Sequence, residues 1–150
     1  MDYFLDTNIV LVYIRKSDLY KQLDKQLNLI AGDNNLIVSI VTIGELKSIA
    51  KSNNWGDKKL DKLTEFLKQF LIADINVESV VERYAEIDAY SQGKLKDEVI
   101  NFSARNMGKN DLWIAATASI LNATLITTDN DFAHLDDKYL KLIKVDLDKL

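Results

Sequence analysis

The sequence predicts an α/β domain built around a mainly parallel sheet. Three observations predict this class: short apolar runs recur along the chain, segments with helical periodicity separate them, and polar turn residues follow most of the runs. Parallel strands are joined by right-handed crossovers, so their carboxyl ends lie along one edge of the sheet. Ligands of open α/β sheets bind at that edge, and functional residues are therefore expected just after the strands.

The composition is that of one ordinary globular domain, which we expect to span residues 1–150. The chain is 47% hydrophobic and 28% charged, and a domain of this length buries roughly 70% of the surface that its unfolded form exposes. It contains no cysteine and a single histidine, His134, which excludes disulfide frameworks, thiolate zinc sites and cysteine nucleophiles. A Ser-His-Asp triad or a histidine-rich metal site would depend on His134 alone.

Charge and hydropathy limit the partners and the cellular location that the sequence predicts. The 19 basic and 23 acidic residues give a net charge of -4, so bulk charge does not indicate a nucleic-acid binder, although it allows local contacts with one. The N-terminus lacks the basic and apolar regions of a secretory signal. The longest apolar stretch, residues 36–43, is far shorter than the ~20 residues that span a bilayer. We expect a soluble, cytoplasmic protein.

The first half of the chain shows strands that alternate with helices. Residues 3–5 form a buried strand, and residues 6–8 turn into a helix. Ser17 is expected to cap a second helix that ends near Ala31, before a turn cluster at 32–35. The elements that follow are a strand at 36–41, a helix from residue 42 to about residue 52, a helix at 57–70 and a weaker strand at 71–75.

The second half contains the best-marked helix, residues 110–118. It is apolar all round and rich in alanine, so it is expected to be buried close to its neighbours. Residues 93–107 show no clear period and are interpreted as loop or partly helical. The remaining elements are a helix at 77–92, a short buried strand at 123–127, a turn at 128–131, a short helical piece at 132–135 and a strand at 140–145.

Four acidic residues are predicted to meet at the carboxyl edge of the sheet. Asp6 directly follows the first strand, Glu45 lies one turn into the helix after the second strand, and Asp129 follows the 123–127 strand. Asp111 begins a helix that runs antiparallel to the next strand, so it can start at the same edge. Clustered carboxylates repel one another, and a pair of divalent cations would relieve that repulsion. Carboxylate oxygens suit Mg²⁺ or Mn²⁺, and two such ions can catalyse phosphodiester hydrolysis.

Each acid also has a structural interpretation. Asp6 and Asp111 could cap helices, because aspartate is favoured at helix starts. Glu45 could close a capping box with Thr42. Asp129 could form a turn, in a segment that lacks the glycine and distant glutamate of a calcium loop. Taken one residue at a time, the sequence leaves these alternatives open.

Four short segments stand in a fixed order along nearly the whole chain: residues 4–8 (FLDTN), 42–46 (TIGEL), 110–118 (NDLWIAATA) and 125–132 (LITTDNDF). Together they resemble a PIN-domain ribonuclease and are most similar to the VapC family of toxin ribonucleases. The resemblance implies a single three-layer α/β/α PIN-like domain with a central parallel sheet. It also implies metal-dependent endonucleolytic cleavage of RNA, with one or two Mg²⁺ or Mn²⁺ ions in each active site.

Carried over by position, the resemblance implies a catalytic, metal-binding acidic quartet with polar support. The quartet consists of Asp6, Glu45, Asp111 and Asp129. The accessory residues are Asp131 at the rim and Thr7, Asn8 and Thr127, which would hold carboxylates or the water at the metal. The family further implies homodimers and a small cognate antitoxin whose tail blocks the active-site groove, with RNA, tRNA among the candidates, as the substrate.

RNA contacts must be local, because the chain is acidic overall. The candidates are Arg105 and Lys109, which immediately precede Asp111, and Arg15, Lys16, Lys47 and Lys51, each of which can also be an ordinary solvated charge. Tryptophans can stack on bases, although of Trp55 and Trp113 the latter is expected in the core. His134 is expected at the surface or in a turn.

Three rival functions stay open. A catalytically inactive PIN-like binding module would use the acids as caps or hold one Mg²⁺ weakly. A phosphotransfer or receiver-like domain also keeps acids at strand ends, but it needs a lysine after a later strand, where this chain has Asp129. A housekeeping RNA-processing nuclease would share the chemistry without an antitoxin.

Overall fold

The computed structural model describes residues 1–15, 18–30 and 32–150. Its five described strands form one parallel sheet in the order β3-β2-β1-β4-β5. The strands are β1 (Asp2–Leu5), β2 (Asn35–Ser39), β3 (Phe70–Ala73), β4 (Thr124–Thr127) and β5 (Lys141–Lys144). The helices are α1 (Thr7–Arg15), α2 (Asp18–Leu27), α3 (Ile40–Ser52), α4 (Asp57–Leu67), α5 (Glu78–Ser91) and α6 (Lys109–Ile120), with 3-10 helices at Asn130–Leu135 and Leu147–Lys149.

Alternate side chains of the strands face two different apolar layers. In β1, Phe4 and Leu5 belong to different buried clusters, and Leu125 and Ile126 of β4 divide in the same way, because successive strand residues point to opposite faces. Helices α1 to α4 contribute to the cluster that contains Leu5, whereas α5 and α6 contribute to the other. The predicted α/β class, with a central parallel sheet between two helical layers, is confirmed.

The order of the strands places a topological switch point beside β1. From β1 the chain builds outward through β2 to β3 on one side, and β4 and β5 lie on the other side. The carboxyl ends of β1 and β4 therefore flank the place where open α/β sheets bind ligands. The backbone N–H of Asp6 donates to the Ile126 carbonyl over 3.0 Å, so the pairing of β1 with β4 continues to the residue after the strand.

The junction between β2 and α3 differs from the sequence prediction. The strand ends at Ser39 rather than at residue 41, because the Ser39 side chain accepts a hydrogen bond from the Val41 N–H over 3.0 Å and caps α3. Thr42, the predicted cap, consequently lies inside the helix. The apolar run at 36–41 therefore contains both the end of a strand and the start of a helix.

The second helix is shorter than predicted. It ends at Leu27, and the next residue, Asn28, has a φ of 50°, a left-handed conformation that a right-handed helix does not contain. Ser17 and Ala31, the predicted limits of this helix, lie outside the described residues. Similarly, α4 ends at Leu67, and Phe70 opens β3 instead of closing the helix.

The remaining elements lie where the sequence predicts them, with small differences at their ends. Residues 92–108 contain turns and irregular backbone without helix or strand, as one of the two interpretations of this stretch expects. Within the described ranges, no helix combines the length and the apolar character that crossing a membrane requires.

Candidate active site

Asp6 is fixed at the switch point by two hydrogen bonds. The residue is only 6% exposed. The Thr7 N–H donates to Asp6 Oδ1 over 2.8 Å, and the Thr127 hydroxyl donates to Oδ2 over 2.7 Å. Burial nevertheless raises the pKa of Asp6, and the charges of Glu45 and Asp129 raise it further. The fold thus holds a carboxylate rigidly in surroundings that penalise its charge.

Thr127 joins Asp6 to the segment that follows β4. While its hydroxyl donates to Asp6, the same oxygen accepts the Asp129 N–H over 3.0 Å. The side chain is fully buried, so both partners are held in one arrangement. These contacts support the predicted role of Thr127 in positioning the carboxylates.

Glu45 reaches the site through Thr7. The Thr7 hydroxyl donates to Glu45 Oε1 over 2.9 Å and lies 3.3 Å from the hydroxyl oxygen of Thr42. The capping-box interpretation of Thr42 and Glu45 is wrong, because Ser39 caps α3 and both residues lie within the helix. The sequence did not mark Thr42 as part of the site, although its spacing of three residues from Glu45 places both on one side of a helix.

Asp111 approaches from the opposite helical layer, on the first turn of α6. Gly108 occupies the N-cap position and Asp111 is the third helical residue, so the cap interpretation of Asp111 is wrong. Its carboxylate accepts no hydrogen bond from the described residues. Burial, together with the neighbouring carboxylates, of which Asp6 has the largest effect, raises the pKa of Asp111 to about 7. In the absence of a cation, this carboxyl is only partly ionised at neutral pH.

Asp111, Asp129 and Asp131 form the tightest carboxylate group. One oxygen from each lies within 4.8 Å of the others. Asp129 Oδ1 accepts the Asp131 N–H over 2.8 Å and thereby caps the 3-10 helix at Asn130–Leu135. The turn-forming interpretation of Asp129 is therefore correct, and the same side chain also belongs to the acidic group. Asp131, predicted as an accessory residue at the rim, belongs to this group together with Asp129.

The donor set fits a hard divalent cation. All three clustered oxygens come from carboxylates, the ligand type that Mg²⁺ and Mn²⁺ prefer. The ion pairs among the described residues use other carboxylates, so no lysine or arginine neutralises this group. A cation would supply that counter-charge. Asp111, Asp129 and Asp131 could hold it, with Asp6 and Glu45 close enough to raise the pKa of Asp111.

The group of Asp111, Asp129 and Asp131 lies on an open edge of the sheet, since two of these residues are half-buried and Asp131 is exposed. A cavity of about 700 Å³ lies between α1 and α4, and none of the site carboxylates lines it. Two smaller hollows flank the site. One, of about 490 Å³, is lined by Glu45 and Asn110, and the other, of about 280 Å³, lies beside Asp131. An open edge with a hollow on either side can admit a polymer strand.

Of the predicted RNA contacts, two lie close to the acidic group. Arg105 is half-buried and lines the hollow that contains Asp131. Lys109 is the exposed first residue of α6, two positions before Asp111. Their contact with RNA stays a prediction.

The other candidate cations lie elsewhere or are not described. Lys47 and Lys51 line a cavity with Trp55, and the helical period places that cavity on the opposite side of α3 from Glu45. Arg15 is exposed at the end of α1. Lys16 lies outside the described residues.

Asn8 was predicted to support the carboxylates, Trp113 to lie in the core and His134 to lie at the surface or in a turn. Asn8 is exposed, and its side chain bonds to none of the described carboxylates, so its supporting role stays a prediction. Trp113 is half-buried against Tyr84, with ring centroids 4.3 Å apart. His134 is half-buried as well, and its Nε2 lies 2.7 Å from Ser91 Oγ. The sequence missed the Ser91 contact, because no local pattern links two residues that lie 43 positions apart.

Comparison with known proteins identifies the family. The PIN domain family model matches residues 3–138. Ribonuclease VapC2 of Rickettsia felis is 30% identical over 130 residues, which make up 86% of this chain and 87% of that protein. A protein of the same name from Haemophilus influenzae is 27% identical over 129 residues, with coverage of 86% and 87%.

Solved structures agree with this assignment. The crystal structure of VapBC2 from Rickettsia felis, bound to a DNA fragment from the promoter, matches with a TM-score of 0.72 and 28% identity, over 97% of this chain and all of that one. VapBC-1 from nontypeable Haemophilus influenzae has the same fold, with a TM-score of 0.70, 24% identity and coverage of 96% and 98%. The chain therefore belongs to the PIN-domain family, in which it is similar to the VapC ribonucleases.

Proposed function

We propose that the chain is a metal-dependent endoribonuclease, with one catalytic domain over residues 1–150, that acts as the toxin of a toxin–antitoxin pair. The observation that carries the proposal is the group of Asp111, Asp129 and Asp131 oxygens within 4.8 Å of one another, at the carboxyl edge of a PIN-domain sheet. Relatives that are ribonucleases by name match 86% of the chain and support RNA as the substrate.

The proposed cofactor is Mg²⁺ or Mn²⁺, one or two ions per active site. Asp111, Asp129 and Asp131 would hold an ion, and Asp6 and Glu45 would complete the site. When bound, the cation would supply Lewis-acid activation of water and would offset the negative charge that develops on the phosphate.

The protein's own contribution is to orient the carboxylates before the substrate arrives. Thr7 and Thr127 hold the two oxygens of Asp6, and Thr7 also holds Glu45. Groups fixed in this way need no reorganisation during the reaction. Asp111, with its raised pKa, must give up its proton fully when a cation binds, so we expect metal binding to release protons near neutral pH.

A cognate antitoxin and a second copy of the chain are the proposed protein partners. The matching structure from Rickettsia felis is a VapBC2 assembly, and another match is a toxin–antitoxin complex from Klebsiella pneumoniae. An acidic site on an open edge can be covered by a segment of another protein. An RNA substrate would place the activity in the cytoplasm.

Cleavage of a mixed pool of single-stranded RNA and tRNA tests the proposed activity. The pool is incubated with wild-type protein, Asp111→Asn or Asp33→Asn, each in Mg²⁺, Mn²⁺ or EDTA. Asp111→Asn removes a charge without removing a hydrogen bond, and Asp33→Asn makes the same change at an exposed bend. We expect fragments with 5′-phosphate and 3′-hydroxyl ends from wild type and Asp33→Asn, in the metal samples only. Equal metal-dependent cleavage by Asp111→Asn would overturn the assignment of the site.

Growth of bacteria that express the chain separates a toxin from a housekeeping nuclease. We expect expression of wild type to arrest growth, expression of Asp111→Asn to be tolerated, and co-expression of the neighbouring small reading frame to restore growth. Normal growth with active wild-type enzyme would favour the housekeeping alternative.

A further inference from the structure

The hollow beside Asp131 is a candidate nucleotide site. Its volume is about 280 Å³, and it is lined by residues 103–107 and Asp131. Cavities for drug-sized ligands begin at roughly 300 Å³, and a single base is smaller than such a ligand, so the hollow has room for one base. Because Asp131 belongs to the carboxylate group, an occupant of this hollow would lie next to the scissile bond.

Arg105 brings a cation without an acidic partner to this hollow. Its guanidinium lies 6.0 Å from the centre of the Phe102 ring. None of the ion pairs in the described part of the chain includes Arg105, although Asp131 lines the same hollow. The planar arginine fork matches the geometry of phosphate oxygens, and here it is available to bind one.

The backbone around Arg105 is available as well. The Arg105 N–H donates to the Ser91 carbonyl over 2.8 Å, and this is the one backbone hydrogen bond that residues 103–107 make with the described residues. Ala104 and Asn106 are exposed and belong to neither helix nor strand. Their peptide groups can therefore pair with the donors and acceptors of an unstacked RNA base.

Contacts beneath the segment hold it in place. Ser91 is fully buried, and its Oγ lies 2.7 Å from His134 Nε2 and 3.4 Å from Met107 Sδ. Phe102 packs on His134, with ring centroids 4.9 Å apart. One serine thus joins the segment to the 3-10 helix that carries Asp131. A surface held rigid before binding loses less entropy when a ligand occupies it.

We propose that this hollow binds the nucleotide next to the scissile bond, with the Arg105 guanidinium on its phosphate and the backbone of residues 103–107 against its base. The inference rests on the proposed ribonuclease function and deepens it, because it assigns a determinant of which sequence is cut. The phosphate contact provides affinity for any RNA, whereas the base contact selects one nucleotide.

RNA binding in EDTA tests Arg105 separately from catalysis. Single-stranded oligonucleotides are titrated against wild type, Arg105→Ala and Lys25→Ala. Lys25 is exposed in the last turn of α2, which leads to the amino-terminal edge of the sheet, so its replacement removes the same charge far from the site. We expect Arg105→Ala to weaken binding about tenfold across sequences and Lys25→Ala to leave it nearly unchanged. Equal affinities of wild type and Arg105→Ala would overturn the phosphate contact.

Sequencing of the cut ends of a random RNA pool tests the base contact. Ser103→Phe places a ring in the hollow from an exposed position, and Ser103→Leu serves the same purpose if the larger variant does not fold. We expect the wild type to prefer one nucleotide beside the cut and the variant to lose or change that preference. An unchanged pattern would overturn this inference and leave the proposed function intact. Absence of metal-dependent cleavage by the wild type would overturn the proposed function, and the inference with it.

Discussion

Thr127 donates a 2.7 Å hydrogen bond to Asp6, a residue that lies 121 positions earlier in the chain. The same hydroxyl oxygen accepts the Asp129 N–H. One buried side chain on β4 therefore sets the relative positions of two acids that follow neighbouring strands. Since β1 and β4 flank the switch point of the sheet, the two acids that follow these strands are held close together at that point.

Thr127→Val tests that contact. Valine fills the same space but leaves Asp6 Oδ2 and the Asp129 N–H without their partner, and unsatisfied buried polar groups are costly. We expect the free energy of unfolding to fall by about 2–3 kcal/mol, and Mn²⁺ affinity to fall as well. Urea denaturation in EDTA and calorimetric titration with Mn²⁺ measure the two effects.

Thr117→Val is the matched control. Thr117 is also buried, but its hydroxyl donates to the Trp113 carbonyl one turn earlier in α6, where the helix already supplies that acceptor with a partner. We expect this variant to lose less than about 1 kcal/mol and to bind Mn²⁺ normally. An equal loss of stability and metal affinity in both threonine variants would contradict the special role of Thr127.

Metal affinity should depend on Asp131 as well as on the predicted quartet. Asp131 supplies one of the three oxygens that lie within 4.8 Å of one another, so Asp131→Asn removes a charged ligand from the proposed site. We expect Mn²⁺ affinity to fall about tenfold or more, in the range of a lost charge-assisted contact. The Asp33→Asn variant, changed at an exposed bend, should bind like wild type. Unchanged Mn²⁺ affinity in Asp131→Asn would show that Asp131 is an accessory residue at the rim and not a metal ligand.

The sequence was sufficient for the fold and for the meeting of the four acids at one edge of the sheet, because both depend on local patterns. The apolar runs and helical periods predict the parallel sheet, and each of Asp6, Glu45 and Asp129 stands a short distance after a strand. The carboxyl ends of parallel strands share one edge of the sheet. Residues that follow these strands therefore lie near one another, independently of the conformation of the loops.

Local sequence patterns could not predict the contacts that orient the site. Ser39 competes with Thr42 for the cap of α3, and only the end of β2 decides between them. The link between Ser91 and His134 joins α5 to a distant 3-10 helix, and it depends on how two layers pack. Tertiary packing of this kind overrides the propensities that a sequence pattern reports.

The stability of the metal-free protein should respond to the protonation of Asp111. Its pKa is raised from 3.8 to about 7, so the folded state keeps a proton that the unfolded chain releases between these values. Stability from this group is present at low pH and is lost as pH rises toward 7. Asp111→Asn removes the charge and its repulsion, so we expect this variant to be more stable than wild type at pH 8 by about 1–2 kcal/mol. The expected gain is smaller than the full pKa shift implies, because solvent screens a half-exposed carboxyl.

Urea denaturation in EDTA at pH 8 and pH 4.5 measures this gain. At pH 4.5 the wild-type carboxyl carries its proton, so the difference between the two proteins should shrink. Asp33→Asn should follow wild type at both pH values. A loss of stability in Asp111→Asn at pH 8 would show that the charge stabilises the first turn of α6 more than it repels its neighbours.

His134 should give the opposite dependence on pH. Burial, with a smaller effect from Arg105, lowers its pKa from 6.5 to about 4, so in that interval the unfolded chain binds a proton that the folded state excludes. The stability that the neutral ring contributes is therefore lost as pH falls from 6.5 toward 4. His134→Gln keeps an N–H that can donate to Ser91 Oγ and removes the titration. Relative to wild type, we expect His134→Gln to lose less stability on going from pH 7 to pH 4.5, because it lacks the ring whose protonation destabilises the fold. We expect Asp111→Asn to lose more, because it lacks the carboxyl whose protonation stabilises the fold. Parallel pH profiles for wild type and His134→Gln would mean that the ring is accessible to water and titrates equally in both states.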